Sequence, residues 1–157
     1  MKEKKTLNDS LEKGENEILV KGREVTVIVK DMKDEFCVVD KIYAKLSNVP
    51  IGAYADDLVE RLNKDCPVGR NWLILERTDK DRRIVSGAFS QNSYSHRYYE
   101  VTVNEDGWDM ECYQMRKGQH KREKVSFYVL KDDLEFLLKS LVDEKRGVLD
   151  DVFDGFD

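Results

Sequence analysis

Apolar residues recur at every second position through Tyr99, Val101 and Val103, through Trp108, Met110 and Cys112, and through Val125, Phe127 and Val129. Side chains on a strand alternate between two faces, so each run predicts a strand with one buried face. The β-branched stretch Glu24–Lys30, the stretch from Phe36 to Leu46, and the shorter segments Ile18–Val20, Trp72–Leu75 and Arg83–Phe89 add further strand candidates. Turn chemistry separates them at Met32–Glu35, at Asp79–Asp81, and most clearly at Asn104-Glu105-Asp106-Gly107, because Asp-Gly accepts positive φ.

Two segments carry the helical period instead. Ala55, Leu58, Val59 and Leu62 follow the i, i+3, i+4, i+7 spacing and predict a helix over 53–64. Leu134, Leu137, Leu138 and Leu141 predict a second helix running to about Lys145. Asp56 and Asp57 are expected in the first turn of the first helix, and Asp132 or Asp133 as the cap of the second. Pro67 and Gly69 should close the former and Gly147 the latter. The order is three strands, a helix, about five strands and a helix. This is an α+β chain with a twisted, mostly antiparallel sheet. A strand precedes each helix and each helix opens on Asp-Asp-Leu, which suggests two strand-strand-helix pseudo-repeats. Residues 1–16 are expected as a frayed or disordered arm, residues 17–146 as one domain, and residues 147–157 as an acidic tail.

Composition sharpens this picture at a few points. At 157 residues, 40% hydrophobic and 10% aromatic, the chain can build one core. Three cysteines, Cys37, Cys66 and Cys112, are odd in number and widely spaced, with no CxxC and no His cluster. That pattern argues against a disulfide framework and a zinc site, and for reduced thiols in a cytoplasmic protein. Neither a signal-peptide h-region nor an apolar run of about 20 residues is present, so no membrane contact is expected.

Net charge is −5, which excludes a bulk polycation, but the charges are segregated. Residues 114–124 carry Arg116, Lys117, Lys121, Arg122 and Lys124 against Glu123 alone. The last ten residues carry Asp150, Asp151, Asp154 and Asp157 and no base. A basic loop between two strands projects cations where they can reach phosphates. Aromatics beside cations suit a single strand, because rings stack on unpaired bases while Lys and Arg follow the backbone. The candidate contacts are Arg97, Tyr113, Arg116, Lys117, Lys121, Arg122, Lys124 and Tyr128. The competing reading is a solvated charged hairpin. Enzyme signatures are missing: there is no GxGxxG, P-loop or HExxH. His96 and His120 lie among polar residues, alternation puts Cys112 on an apolar face, and helix starts explain the paired aspartates. No catalytic residue, metal ligand or cofactor is expected.

The run from Trp108 to Gly118, the basic loop, Val125–Leu130 and the leucine-rich helix together resemble the Pur-alpha/Whirly class of single-stranded nucleic-acid-binding folds. That class builds curved four-stranded antiparallel sheets followed by a helix, often twice. The resemblance lies in layout; it covers residues 98–146 and, more loosely, 18–64, where three strands stand in place of four. It implies the basic-loop cations and Tyr113 as contacts. The segment Leu149–Asp157 resembles the acidic, Phe-containing C-terminal tips of bacterial and phage single-stranded DNA-binding proteins, although it ends in Asp157 rather than Phe. It implies a partner-binding tip made of Asp150, Asp151, Phe153, Asp154, Phe156 and Asp157, directed at a replication, repair or transcription protein. The expected function is a non-enzymatic protein that binds single-stranded DNA or RNA, compatible with a homodimer. The alternative is an interaction or inhibitor protein of phage or mobile-element type whose acidic surface engages a host nucleic-acid machine.

Overall fold

The alternating runs pair into one antiparallel sheet of nine strands. We describe it from a computed structural model, at residues 11–20, 22–87, 95–116, 118 and 121–142, with backbone alone at 95 and 96. The strands are β1 (Gly14–Val20), β2 (Arg23–Met32), β3 (Phe36–Lys45), β4 (Leu73–Arg77), β5 (Asp81–Val85), β6 (Ser95–Asn104), β7 (Gly107–Arg116), β8 (Glu123–Val125) and β9 (Phe127–Leu130). Helix α1 (Ile51–Asp65) follows β3, and helix α2 (Lys131–Leu141) follows β9. The α+β class with an antiparallel sheet and two helices is therefore the architecture of the described residues. Strand β1 starts at Gly14 and Leu11 is already buried, so the folded part reaches into the stretch expected as an arm. The acidic tail 147–157 lies outside the described residues.

The sheet order is β1-β2-β3-β7-β6-β5-β4. Strand β3 serves two partners. Its first half, Phe36–Val39, pairs with β9, and its second half, Ile42–Lys45, pairs with β7. Strands β8 and β9, separated by Ser126, fill the wedge where β3 and β7 part. Between the two halves of β3 the pairing to β2 skips Asp40, since Val29 faces Val39 and Ile28 faces Lys41. A residue inserted in this way lets Val39 and Ile42 both reach the core although they are three apart.

One face of the sheet meets the helices. Val25, Val27, Val29, Cys37, Val39, Ile42, Ile84, Val101, Val103, Met110, Cys112, Phe127 and Val129 form a single core with Leu58 and Leu62 of α1 and Leu134, Leu137, Leu138 and Leu141 of α2. Trp72 and Trp108 are both core residues. Gly107 sits where β7 begins against β3; its φ is +137°, and a Cβ there would come within 2.0 Å of the Ala44 carbonyl oxygen. Only glycine fits that approach.

The helix ends differ from expectation. Helix α1 starts earlier, with Pro50 at its N-cap, so Asp56 and Asp57 fall beyond the first turn. Asp57 instead pairs with Arg61 one turn on, at 2.8 Å. Neither helix has a side-chain N-cap bond; Asp132 and Asp133 occupy the first turn of α2, where they act on the dipole rather than as caps. Helix α2 stops at Leu141, short of Lys145. Arg61 Nη1 donates to the carbonyls of Ser140, at 2.8 Å, and Val142, meeting acceptors that the helix end leaves open. No helix among the described residues is long and apolar enough to cross a membrane.

Candidate nucleic-acid interface

Alternation that sends Tyr99, Val101, Met110 and Cys112 into the core sends Tyr98, Glu100, Glu111 and Tyr113 to the opposite face, which no described helix covers. Cross-strand register then sets Tyr98 opposite Tyr113 and Glu100 opposite Glu111. The rings stack, with centroids 5.9 Å apart and planes at 25°. Two carboxylates facing each other across strands repel, and the fold supplies cations to both.

Glu100 receives two arginines. Arg122 Nη1 donates to its Oε1 at 2.7 Å, and Arg83 Nε lies 3.2 Å from the same oxygen. The Arg83 Nε–H is buried and makes no hydrogen bond among the described residues, so that contact is ionic. The Glu100 side chain is 5% exposed, against 32% for Arg83 and 35% for Arg122. Arg122 also donates to Tyr98 Oη at 3.3 Å, and its guanidinium carbon stands 3.9 Å from the centre of the Tyr113 ring. Burial works against its charge, but the bonds to Tyr98 and Glu100 outweigh it and hold its pKa above the usual arginine value. Burial, reinforced by Glu111, pushes the Tyr113 phenol up to about 12.

Glu111 is matched by Lys124, whose Nζ lies 3.1 Å from Glu111 Oε2 and 3.1 Å from Asp40 Oδ2. Asp40 is the inserted residue of β3. Burial tends to discharge Lys124, yet Asp40 and Glu111 together raise its pKa. Tyr113 donates from its hydroxyl to Glu111 Oε1 at 3.3 Å. The result is a platform of two rings within a chain of alternating charges, Arg83–Glu100–Arg122 on one side and Glu111–Lys124–Asp40 on the other.

Of the residues expected to contact nucleic acid, Tyr113, Arg122 and Lys124 come together here. Tyr128 is on the same sheet face, four residues beyond Lys124 or about 13 Å along the strand; it is 63% exposed and edge-packed on Phe36 with centroids 5.5 Å apart. Arg97 and Arg116 have the opposite parity to Tyr98 and Tyr113 and so leave their strands on the other side. Arg97 donates from Nε to Gln114 Oε1 at 3.2 Å. Arg116 and Lys121 are exposed, and Lys117 lies outside the described residues, as do Asp150, Asp151, Phe153, Asp154, Phe156 and Asp157. Sequence reasoning passed over Arg83, Glu100, Glu111 and Asp40. The available signal was a glutamate held between Tyr99 and Val101 in a strongly alternating strand.

The cysteines are free, with Cys37 and Cys112 buried. Burial pushes the Cys112 thiol up to about 11 and the Cys66 thiol up to about 12, so neither is a thiolate at neutral pH. Comparisons with protein-family models, with curated proteins and with solved structures return no match to this chain.

Proposed function

We propose that this protein is a non-catalytic binding module that takes single-stranded nucleic acid on the open face of its sheet, at the Tyr98–Tyr113 platform. The observation that carries the reading is the stacked tyrosine pair with an arginine over one ring, on a face no described helix covers. Base–aromatic stacking contributes about 1–3 kcal/mol per base, and Arg adds cation–π attraction. Arg122 and Lys124 are already matched by carboxylates, so the phosphate term is small. Affinity should therefore rest on stacking more than on charge.

Fluorescence anisotropy with labelled single- and double-stranded oligonucleotides at two salt concentrations tests this. The expected result is preference for the single strand and a log–log salt slope of roughly one to two, at about 0.7 per phosphate contact. Tyr98→Ala with Tyr113→Ala should weaken binding at least tenfold while the fold survives. No single-strand binding at low salt would remove the reading. A second reading, a surface for a protein partner, is favoured by the exposed Tyr128 and Leu130 and by the carboxylates Asp40, Asp109, Glu100 and Glu111 around the platform. It becomes the better one if oligonucleotides fail.

A further inference from the structure

Arg122 occupies both positions that a bound nucleotide would need. Its guanidinium covers a face of Tyr113 at 3.9 Å, where a base would stack. The same group is bonded to Glu100 at 2.7 Å, where a phosphodiester would compete. The carboxylate has a second cation, Arg83, 3.2 Å from the shared oxygen. If Arg122 leaves, Glu100 keeps Arg83. A buried carboxylate stripped of every partner would be costly, and this arrangement avoids that. The arginine most able to leave is also the one nearest the loop. Arg122 directly precedes β8 and follows the segment containing Gly118, whose φ is +83° with open space around it. Arg83, by contrast, is fixed inside β5.

We propose that Arg122 is a displaceable cap on the platform. Single-stranded nucleic acid binds by exchanging a phosphodiester for Glu100 as the partner of Arg122 and a base for the guanidinium on Tyr113, while Arg83 stays on Glu100. This rests on the function proposed above and adds to it a closed, self-satisfied state. One side-chain movement opens the stacking face and delivers the cation together. The exchange gives Arg122 one charge-assisted hydrogen bond for another and leaves Glu100 the ionic contact with Arg83, so the base stacked on Tyr113 has to offset the bonds to Glu100 and Tyr98 that are given up.

The test compares wild type, Glu100→Gln and Arg122→Gln by anisotropy with a labelled oligo-dT at two salt concentrations, with circular dichroism to verify folding. Glu100→Gln weakens the hold on Arg122 and should tighten binding by at least about two- to five-fold, the range of an exposed pair, since Glu100 is buried. Arg122→Gln should weaken binding and lower the salt slope by about 0.7, one phosphate contact. If Glu100→Gln does not fold, the wild type answers alone. The Arg122 guanidinium resonances, shielded by the Tyr113 ring in the free protein, should lose that shielding when oligo-dT is added. Unchanged or weaker binding by folded Glu100→Gln, tighter binding by Arg122→Gln, or ring shielding of Arg122 retained in the complex would each overturn the cap. Absence of wild-type binding would instead remove the underlying function, and the cap with it.

Discussion

The seam between β3 and β7 joins strands β1–β3 to strands β4–β7 in one sheet, and Gly107→Ala tests how it is made. A Cβ at this position would meet the Ala44 carbonyl oxygen at 2.0 Å, the Ala44 carbonyl carbon at 3.1 Å and the Leu46 nitrogen at 3.1 Å. All three are backbone atoms, so no side-chain rotation relieves the clash. Moving the β6–β7 turn away disturbs the bonds from Leu46 N to the Asp106 carbonyl (2.7 Å) and from Val49 N to the Glu105 carbonyl (3.1 Å). The glycine-only backbone conformation contributes about 1–3 kcal/mol of strain, and each disturbed hydrogen bond about 0.5–1.5 kcal/mol. The expected loss is roughly 2–6 kcal/mol, or a melting temperature lower by on the order of 10 °C for a chain of this size. Gly22→Ala is the control, because Gly22 has φ +79° with nothing within 4 Å of a Cβ; it carries strain without collision. Thermal melts of both variants, with amide exchange at Leu46 and Val49, give the comparison. Equal destabilisation of the two variants, or unaltered protection of those two amides in Gly107→Ala, would refute the steric argument.

Two further predictions follow from burial of titratable groups. Asp109 lies on the open face between Tyr43 and Thr102, and burial raises its carboxyl above the ordinary 3.8, against an opposing pull from Lys41. The folded state thus binds that proton more tightly than the unfolded one, so its stabilising contribution is fully present below 3.8 and is lost as pH rises through the raised value. Asp109→Asn should therefore raise the melting temperature at pH 7 and flatten its pH dependence in the window above 3.8; a lower melting temperature at pH 7 would contradict this. The second concerns the thiols: iodoacetamide at pH 8 should modify Cys37, Cys66 and Cys112 far more slowly in the native protein than in guanidinium, because burial raises the pKa of all three. Rapid native labelling of Cys112, read by mass spectrometry, would contradict its place in the core.

The strands were legible because a buried face imposes period two, and β6, β7 and β9 show it without interruption. Their ends were less legible where a strand stops for tertiary reasons. The expected strand Arg83–Phe89 leaves its ladder after Val85: Ser86 N still donates to the Tyr99 carbonyl, but the Tyr99 N–H goes to the Ser86 hydroxyl and Gly87 N turns to the carbonyls of Arg70 and Asn71, while residues 88 and 89 lie outside the described residues. Helix starts were displaced for a related reason. Aspartate pairs look like caps in sequence, but Asp57 is matched to Arg61 within the helix, and Pro50, with its fixed φ, begins α1 without a side-chain bond. At the site, Tyr113, Arg122 and Lys124 could be nominated from aromatic and basic clustering. Their partners could not, since Glu100 is 22 residues from Arg122 and Asp40 is 84 from Lys124. Only the pairing of β6 with β7, and the wedge between β3 and β7, brings these groups together.

That pairing also changes what the basic segment means. Sequence clustering counts Arg116, Lys117, Lys121, Arg122 and Lys124 as five cations facing outward. The sheet sets Glu100 opposite Glu111, a repulsive cross-strand pair, and adds Asp40 beside them. Arg122 and Lys124 neutralise this group, so two of the five meet an electrostatic need of the fold itself. A ligand phosphate cannot gain their full attraction, because each must first be taken from a carboxylate. Of the other three, Arg116 leaves its strand on the opposite side of the sheet, Lys121 is exposed, and Lys117 lies outside the described residues. The selective part of recognition then falls to the rings, and the salt slope measures how the two contributions divide: a slope that falls by about 0.7 in Arg122→Gln means that Arg122 is released to a phosphate on binding, and an unchanged slope means that it stays where the sheet requires it.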